Sequence, residues 1–346
     1  MTATPRVTIG LPVYNGEKYL VDALDSLLGQ TFEDFELIIS DNSSTDSTAQ
    51  ICQRYLQADS RIRYFRQPRN IGQIPNHNFV FHQARGELFK FSACDDLYGR
   101  DLLRCCVEVL DANPEVVLAH SWTAVIDEDS NVTQSLEYPL ATDSPRAPAR
   151  FRSFLWAGSG LFESHDPARQ GMIRIANKGL LWACDEYGLI RTEVMRRVAP
   201  LRSFHHSDRI LLCELMLNGP FHQTPAWMYF RRDWSDRVYN THPSVHDRCA
   251  LMDPARSSRL RHPAPRLLAE YMLGYVGAIR RAPLSAAERR ECYRELMRWS
   301  SDRATNKLLP GYMASREEPP PAEQLADRGV SVALAVAGQE KREEHP

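Results

Sequence analysis

The chain has 346 residues, 43% of them hydrophobic and 25% charged, with a formal net charge of −2. Its length predicts about two domains at roughly 100–200 residues each, and its near-neutral charge excludes the basic footprint of a nucleic-acid binder. No stretch approaches the ~20 apolar residues of a membrane-spanning helix, and no basic start followed by an apolar run marks a secretory leader.

The run Val7 to Val13 (VTIGLPV) predicts a buried strand, broken by Asn15-Gly16. From Glu17 to Gln30, Leu20, Leu24, Leu27 and Leu28 share one helical face. Phe35 to Ile39 predicts a second strand, ending in Ser40-Asp41-Asn42. Ser43, Ser44 and Asp46 then offer capping chemistry for a helix through Tyr55. A third strand is expected over Ile62 to Phe65, followed by a loop with Asn70 and Gly72 and a helix from Pro75 to Gln83. Leu88 to Ala93 predicts a fourth strand ending in Cys94-Asp95-Asp96. A helix from Asp101 to Ala112 stops at Asn113-Pro114, and Val116 to Ile126 predicts a fifth strand.

This alternation predicts an α/β fold: a Rossmann-like, mostly parallel sheet flanked by helices. Right-handed crossovers would bring the carboxyl ends of the strands to one edge. Asp41, Asp95 and Asp96 all fall on that edge, where open α/β sheets bind their ligands.

Prolines and glycines punctuate residues 131–179, which reads as loops and short helices able to cover a cleft. Trp182 to Arg191 suggests a strand with a turn, and Ser207 to Asn218 a helix opening on Asp208. Trp227 to Arg231 is apolar and then basic. Helices are expected over Arg266–Arg280 and Ala286–Trp299. The region from Glu317 onward, with Pro319-Pro320-Pro321, reads as a tail without fixed structure. Eight cysteines without a CxxC pair read as free thiols of a reducing compartment rather than a zinc site. The expected location is therefore cytoplasmic, with the inner face of a membrane as a peripheral contact.

Taken in order, VTIGLPVYNGEKYL, QTFEDFELIISDNSSTDST, PRNIGQ, FKFSACDDLYGRDLL, EYGLIR and SDRILLCELMLNGPF resemble the family 2 glycosyltransferases. No single motif carries this, but the ordered set does, and it covers residues 6–235. The resemblance implies a GT-A fold and inverting transfer of a sugar from a nucleotide-sugar donor, with a UDP-sugar favoured. It implies a catalytic domain over 1–240, with a donor half (1–130) and an acceptor half (131–240). A helical C-terminal extension (241–315) and the tail (316–346) would follow.

By the same resemblance Pro12, Tyr14 and Asn15 line the nucleoside pocket, and Asp41 contacts the base. A carboxylate only accepts hydrogen bonds, which suits an imide N–H. An Asx turn is the other reading of Asp41. Ser40 stands where many relatives carry a second Asp. Asn70 and Gly72 lie on the third strand's exit loop, where glycine permits close approach to a ligand. Asp95 and Asp96 match the family's DxD-type element for Mn²⁺ or Mg²⁺, with Asp96 as the direct ligand. Asp208 matches the general base. Arg232 or Arg231 would reach the diphosphate. His205 and His206 lie before Asp208, and Asp185-Glu186 matches a loop relatives use at the acceptor site.

Rival readings lack their signatures. Gly10-Leu11-Pro12-Val13-Tyr14-Asn15 is no dinucleotide-binding glycine motif, and no glycine-rich basic loop suggests a nucleotidyltransferase. Glu295-Leu296-Met297-Arg298-Trp299 is only superficially like the Gln-x-x-Arg-Trp element of processive synthases. The acceptor remains open among an envelope or exopolysaccharide glycan, a lipid-linked sugar and a small secondary metabolite. The segment Arg289 to Arg298 mixes basic and apolar residues, making it a candidate for membrane contact or a homodimer interface.

Overall fold

The computed structural model describes residues 4–135, 142–157, 161–164, 171–174, 184–204, 206–235 and 244–308. The expected tail over 316–346 lies outside the described residues, as does His205.

The first 126 residues are built as the sequence pattern dictates. Strands β1 (Val7–Val13) and β2 (Phe35–Asp41) are buried at every position, because helices cover both faces of the sheet. Side chains alternate between two cores. Val7, Ile9, Leu11 and Val13 meet the buried leucines of α1 (Leu20–Leu28) and α4 (Leu102–Ala112) in one core. The other core joins Ile38, Phe89 and Phe91 to Phe151, Leu211 and Leu215. The remaining elements of this stretch are α2 (Thr48–Ala58), β3 (Ile62–Arg66), α3 (Gln73–His82), β4 (Leu88–Phe91), β5 (Leu97–Tyr98) and β6 (Leu118–Ile126).

The rest of the described chain supplies β7 (Val132–Ser135), α5 (Ala147–Ala157), β8 (Leu161–Ser164), β9 (Gly171–Arg174), β10 (Leu189–Arg191), α6 (Thr192–Arg197), α7 (Ser207–Asn218) and β11 (Phe221–Arg232). The main sheet runs β3-β2-β1-β4-β10-β6-β11-β5, with β7 on β6, while β8 and β9 pair separately. The β3-β2-β1-β4 and β6-β11 pairings are parallel, whereas β10 and β5 run antiparallel to their neighbours.

The strand over Val116 to Ile126 is separated from the fourth strand by the three residues of β10, which with the 3-10 turn Cys184–Tyr187 form the described part of the strand-with-turn expected over Trp182 to Arg191. Arg191 fastens β10, donating to the carbonyls of Leu110 (2.6 Å), Val116 (2.8 Å) and Asn113 (3.1 Å).

The C-terminal extension contributes α8 (Val245–Met252), α9 (Ala264–Arg281) and α10 (Ala286–Leu308). Tyr271, Tyr275, Ile279, Leu296 and Trp299 join the core shared with the sheet and α7. Arg281 clasps the buried carboxylate of Glu214 through two hydrogen bonds of 2.7 Å, tying α9 to α7. No described helix is long and apolar enough to cross a membrane. Cys52, Cys94, Cys105, Cys106, Cys213, Cys249 and Cys292 are free thiols.

Candidate active site

The ends of β1 and β2 are laced together by short polar side chains. Asn15 sits at φ +50° and its backbone N–H donates to Ser44 Oγ (3.0 Å). Asn15 Oδ1 accepts from the Thr45 backbone N–H (2.9 Å), and Gly16 N donates to Thr48 Oγ1 (2.8 Å). The serine-rich segment thus holds the first loop rather than only capping α2. Pro12 is buried in β1, whereas Tyr14 is 44% exposed at the mouth of this edge.

Asp41 is fully buried. Its Oδ1 accepts from Ser44 N (2.8 Å), and its Oδ2 accepts from Tyr64 Oη (2.8 Å) with Arg66 Nε at 3.6 Å. Asp41 therefore does not present the open carboxylate edge that direct base recognition requires. The Asx-type reading describes its geometry. Ser40 is wired to α3: its Oγ donates to Asn76 Oδ1 (2.6 Å) while Asn76 Nδ2 donates to Ser40 O (2.8 Å). An aspartate at 40 would set a carboxylate against that amide oxygen.

Asn70 Oδ1 accepts from Asn42 Nδ2 (3.0 Å) and Gly72 N (2.9 Å), so it shapes the exit loop of β3. Gly72 does permit a close approach, at φ +94°, but the chain itself makes it. A Cβ there would lie 2.6 Å from Met252 O and 2.7 Å from Pro254 Cδ.

The acidic pair divides. Asp96 is 1% exposed, its Oδ1 accepting from Arg232 N (2.8 Å) and its Oδ2 from Tyr229 Oη. Asp95 stays half-buried and accepts from Trp234 Nε1 (3.1 Å). The sequence made Asp96 the direct cation ligand; the structure makes Asp95 the accessible carboxylate, because β11 engages both oxygens of Asp96.

Arg232 is built into the protein. It is fully buried, donating to the carbonyls of Asp95 (2.9 Å), Asp127 (2.9 Å) and Glu128 (3.0 Å) and to Ser130 Oγ (3.0 Å). Through Nε and Nη1 it braces the wall behind Asp95. Beside this wall is an open pocket of about 450 Å³ lined by Asp127, Glu128, Asp129, Asp233, Trp234 and Ser235.

A second group of carboxylates gathers around a 3-10 turn, Cys184–Tyr187, against the first turn of α7. Burial pushes the Glu186 carboxyl well above its usual range, and the charge of Asp208 pushes it further. Arg231 acts in the opposite sense, so it lies on this side while Arg232 lies in the wall. Burial also raises Asp185, against the pull of His120, whose Nδ1 is 3.4 Å from Asp185 Oδ1. Tyr187 links the two sides. After burial, the charges of Glu186, Asp96 and Asp95 all raise its phenol.

Residues 8–181, half of the chain, match the description Glycosyl transferase family 2. The chain belongs to glycosyl transferase family 2. An uncharacterized glycosyltransferase of Methanocaldococcus jannaschii is 30% identical over 135 residues, 38% of this chain and 47% of that protein. One of Haemophilus influenzae is 32% identical over 127 residues, 37% and 50% of the two chains. The matched stretch thus spans about half the length of these relatives. S. aureus TarS 1-349 shares the GT-A fold, with a TM-score of 0.57 at 18% identity over 89% of this chain and 76% of that one. Its complex with UDP-GlcNAc gives 0.60 at 16% identity, over 86% and 73%.

The family's divalent cation can be tested against the residues present. Among the described residues no group of three or more His, Cys, Asp or Glu is arranged to hold a metal. Mg²⁺-type cations take one or two carboxylates and complete their shell with phosphate oxygens and water. Asp95, accessible beside an acid-lined pocket, fits such a partial site. A diphosphate approaching these carboxylates also needs its charge offset.

Sequence reasoning missed Tyr229, Trp234 and Lys90. Nothing in the pattern marked the two aromatics. Lys90 did carry a signal, as the lone charge inside the apolar run Leu88-Phe89-Lys90-Phe91.

Proposed function

We propose that this protein is an inverting, nucleotide-sugar-dependent glycosyltransferase, with a UDP-sugar as the favoured donor. The observation that carries the reading is the convergence on one sheet edge of the Asp95–Asp96 loop, the Asp185–Glu186 turn and the first turn of α7, joined through Tyr187. TarS, which shares the fold, was solved with UDP-GlcNAc, and this supports the choice of donor class.

Tyr14 and the loops braced by Asn15, Asp41 and Asn70 shape the nucleoside side. Asp95, with Asp96 behind it, would hold a divalent cation. When bound, that cation supplies Lewis-acid stabilisation of the leaving diphosphate.

Asp208 acts as general base. Two interacting carboxylates have their proton affinities driven apart. Here burial and the charge of Asp208 both drive Glu186 upward, which makes Glu186 the poorer candidate for an ionised base. As the acceptor oxygen forms its bond to the anomeric carbon, its proton passes to Asp208. The bond from that carbon to the diphosphate oxygen breaks on the opposite face. A single displacement inverts the anomeric centre and needs no carboxylate nucleophile.

The acceptor class proposed is an envelope or exopolysaccharide glycan, with a peripheral membrane location compatible with it and a small secondary metabolite as the alternative. The test is thermal stabilisation by UDP, GDP, TDP and CDP with and without Mn²⁺, followed by nucleotide release from the matching sugars. UDP stabilisation that grows with Mn²⁺ is the expected result. Absence of response to every nucleotide would sink the reading.

A further inference from the structure

Lys90 is out of character with its surroundings. It sits on β4 near the middle of the sheet and is 1% exposed. Its amine is held by backbone carbonyls rather than by a carboxylate. An ammonium buried without a counter-ion is costly, and burial draws the Lys90 amine down to about 7 against the opposing pull of Cys106 and Asp96.

Its contacts reach both halves of the site. Lys90 Nζ donates to the carbonyl of Phe91 (3.2 Å) and to that of Tyr187. It lies 4.5 Å from the Tyr98 ring centroid and 6.0 Å from those of Tyr187 and Tyr229. Each of these rings has an anchor at the site. Tyr229 Oη donates to Asp96, and Tyr98 Oη accepts from Ala93 N (2.8 Å) just before the Asp95–Asp96 loop. Tyr187 closes the turn that carries Asp185 and Glu186. Charged or neutral, an amine keeps N–H groups to donate to a carbonyl.

The geometry points to Lys90 as a positioning residue for sugar transfer: its amine pins the Cys184–Tyr187 turn of the acceptor side to the floor beneath Asp96. This rests on the proposed function, because it supposes that acceptor and donor meet across that floor. The contacts of Lys90 are with the protein, so on this reading it acts through the turn. Removing its amine therefore loosens the acceptor side and leaves nucleotide binding in place. A misplacement of about 1 Å at a distance from the chemistry can cost on the order of a hundredfold in rate.

The test uses the full chain with Lys90→Met, which fills similar volume without a donor, and Lys90→Gln, which keeps one. Amide hydrogen exchange is read over residues 184–188 without ligand, and transfer is read against donor hydrolysis. The expectation for Lys90→Met is exchange about tenfold faster in that turn with β4 still protected, and a transfer-to-hydrolysis ratio at least tenfold lower. Lys90→Gln should recover part of both, and is read by the same criteria should Lys90→Met not fold. Unchanged exchange in the turn, or transfer and hydrolysis falling in parallel, would overturn the assignment. Were no sugar nucleotide turned over by the native chain, the glycosyltransferase reading would fail, while the exchange result would still decide whether Lys90 holds the turn.

Discussion

Gly72→Ala tests whether the C-terminal extension is seated on the donor half as described. Gly72 has φ +94° and ψ 159°, a region open almost only to glycine, where another residue costs about 1–3 kcal/mol. The added Cβ would also stand 2.6 Å from Met252 O and 2.7 Å from Pro254 Cδ, with Asp253 Cα at 3.0 Å. Two of these atoms are backbone and the third belongs to a proline ring, so no side-chain rotation relieves them. The segment following α8 has to move, with loss of its packing against α3. The combined cost is about 2–5 kcal/mol. At about 2–4 °C per kcal/mol, that lowers the melting temperature by several degrees. Scanning fluorimetry measures the shift, and limited proteolysis should show new cleavage around residues 244–257. A variant that melts within about 1 °C of the native chain, with that segment still protected, would refute the close approach.

Four further outcomes are expected. Asp208→Asn should lower transfer by about 10²–10⁴-fold while nucleotides still stabilise the protein; normal transfer would remove Asp208 as the base. Asp95→Asn should abolish the Mn²⁺ increment in UDP-induced stabilisation, and an undiminished increment would move the cation elsewhere. Arg281→Met strands the Glu214 carboxylate, 1% exposed, between α7 and α9. Because the Arg281 side chain is 37% exposed, the expected loss is about 2–3 kcal/mol in chemical denaturation, below the about 3–5 kcal/mol of a fully buried break. Lys90 predicts a pH signature, since its amine is drawn down to about 7 by burial, facing Asp96, Cys106, Tyr98, Tyr187 and Tyr229. The unfolded chain then binds the extra proton between about 7 and the ordinary lysine value. Stability is fully present above that ordinary value and is lost as pH falls toward about 7. In the native-minus-Lys90→Met difference this slope should appear, and a flat difference would argue against a buried amine.

The strands were legible where they were long and wholly apolar, as in β1 and β2, because burial on both faces leaves a continuous hydrophobic run. β10 was legible as a strand after a turn, but its place between β4 and β6 was not, because that depends on a return of the chain from residues far along the sequence. The site was legible at the level of which loops meet, because strand topology alone sends Asp41, Asp95 and Asp96 to one edge. It was not legible at the level of which carboxylate is buried and engaged, since that depends on partners distant in sequence. Asp96 is engaged by Tyr229 and the backbone of Arg232, and Asp41 by Tyr64.

That difference has a physical logic. A buried carboxylate is tolerable only with donors on its oxygens. Once those donors are in place, it holds backbone and side chains in register rather than waiting for a ligand. Asp41 and Asp96 fall in this group, each fixing a loop through two acceptors. Asp95 and Asp208 are only half-buried, and they are the two carboxylates to which the proposal gives chemistry. The two pairs therefore need opposite substitution patterns. Asp41→Asn and Asp96→Asn should lower stability together with activity, whereas Asp95→Asn and Asp208→Asn should lower activity with the melting temperature held. Should Asp96→Asn keep full stability and lose only the metal response, Asp96 would return as the direct ligand and its bonds to β11 would be ones a bound cation displaces.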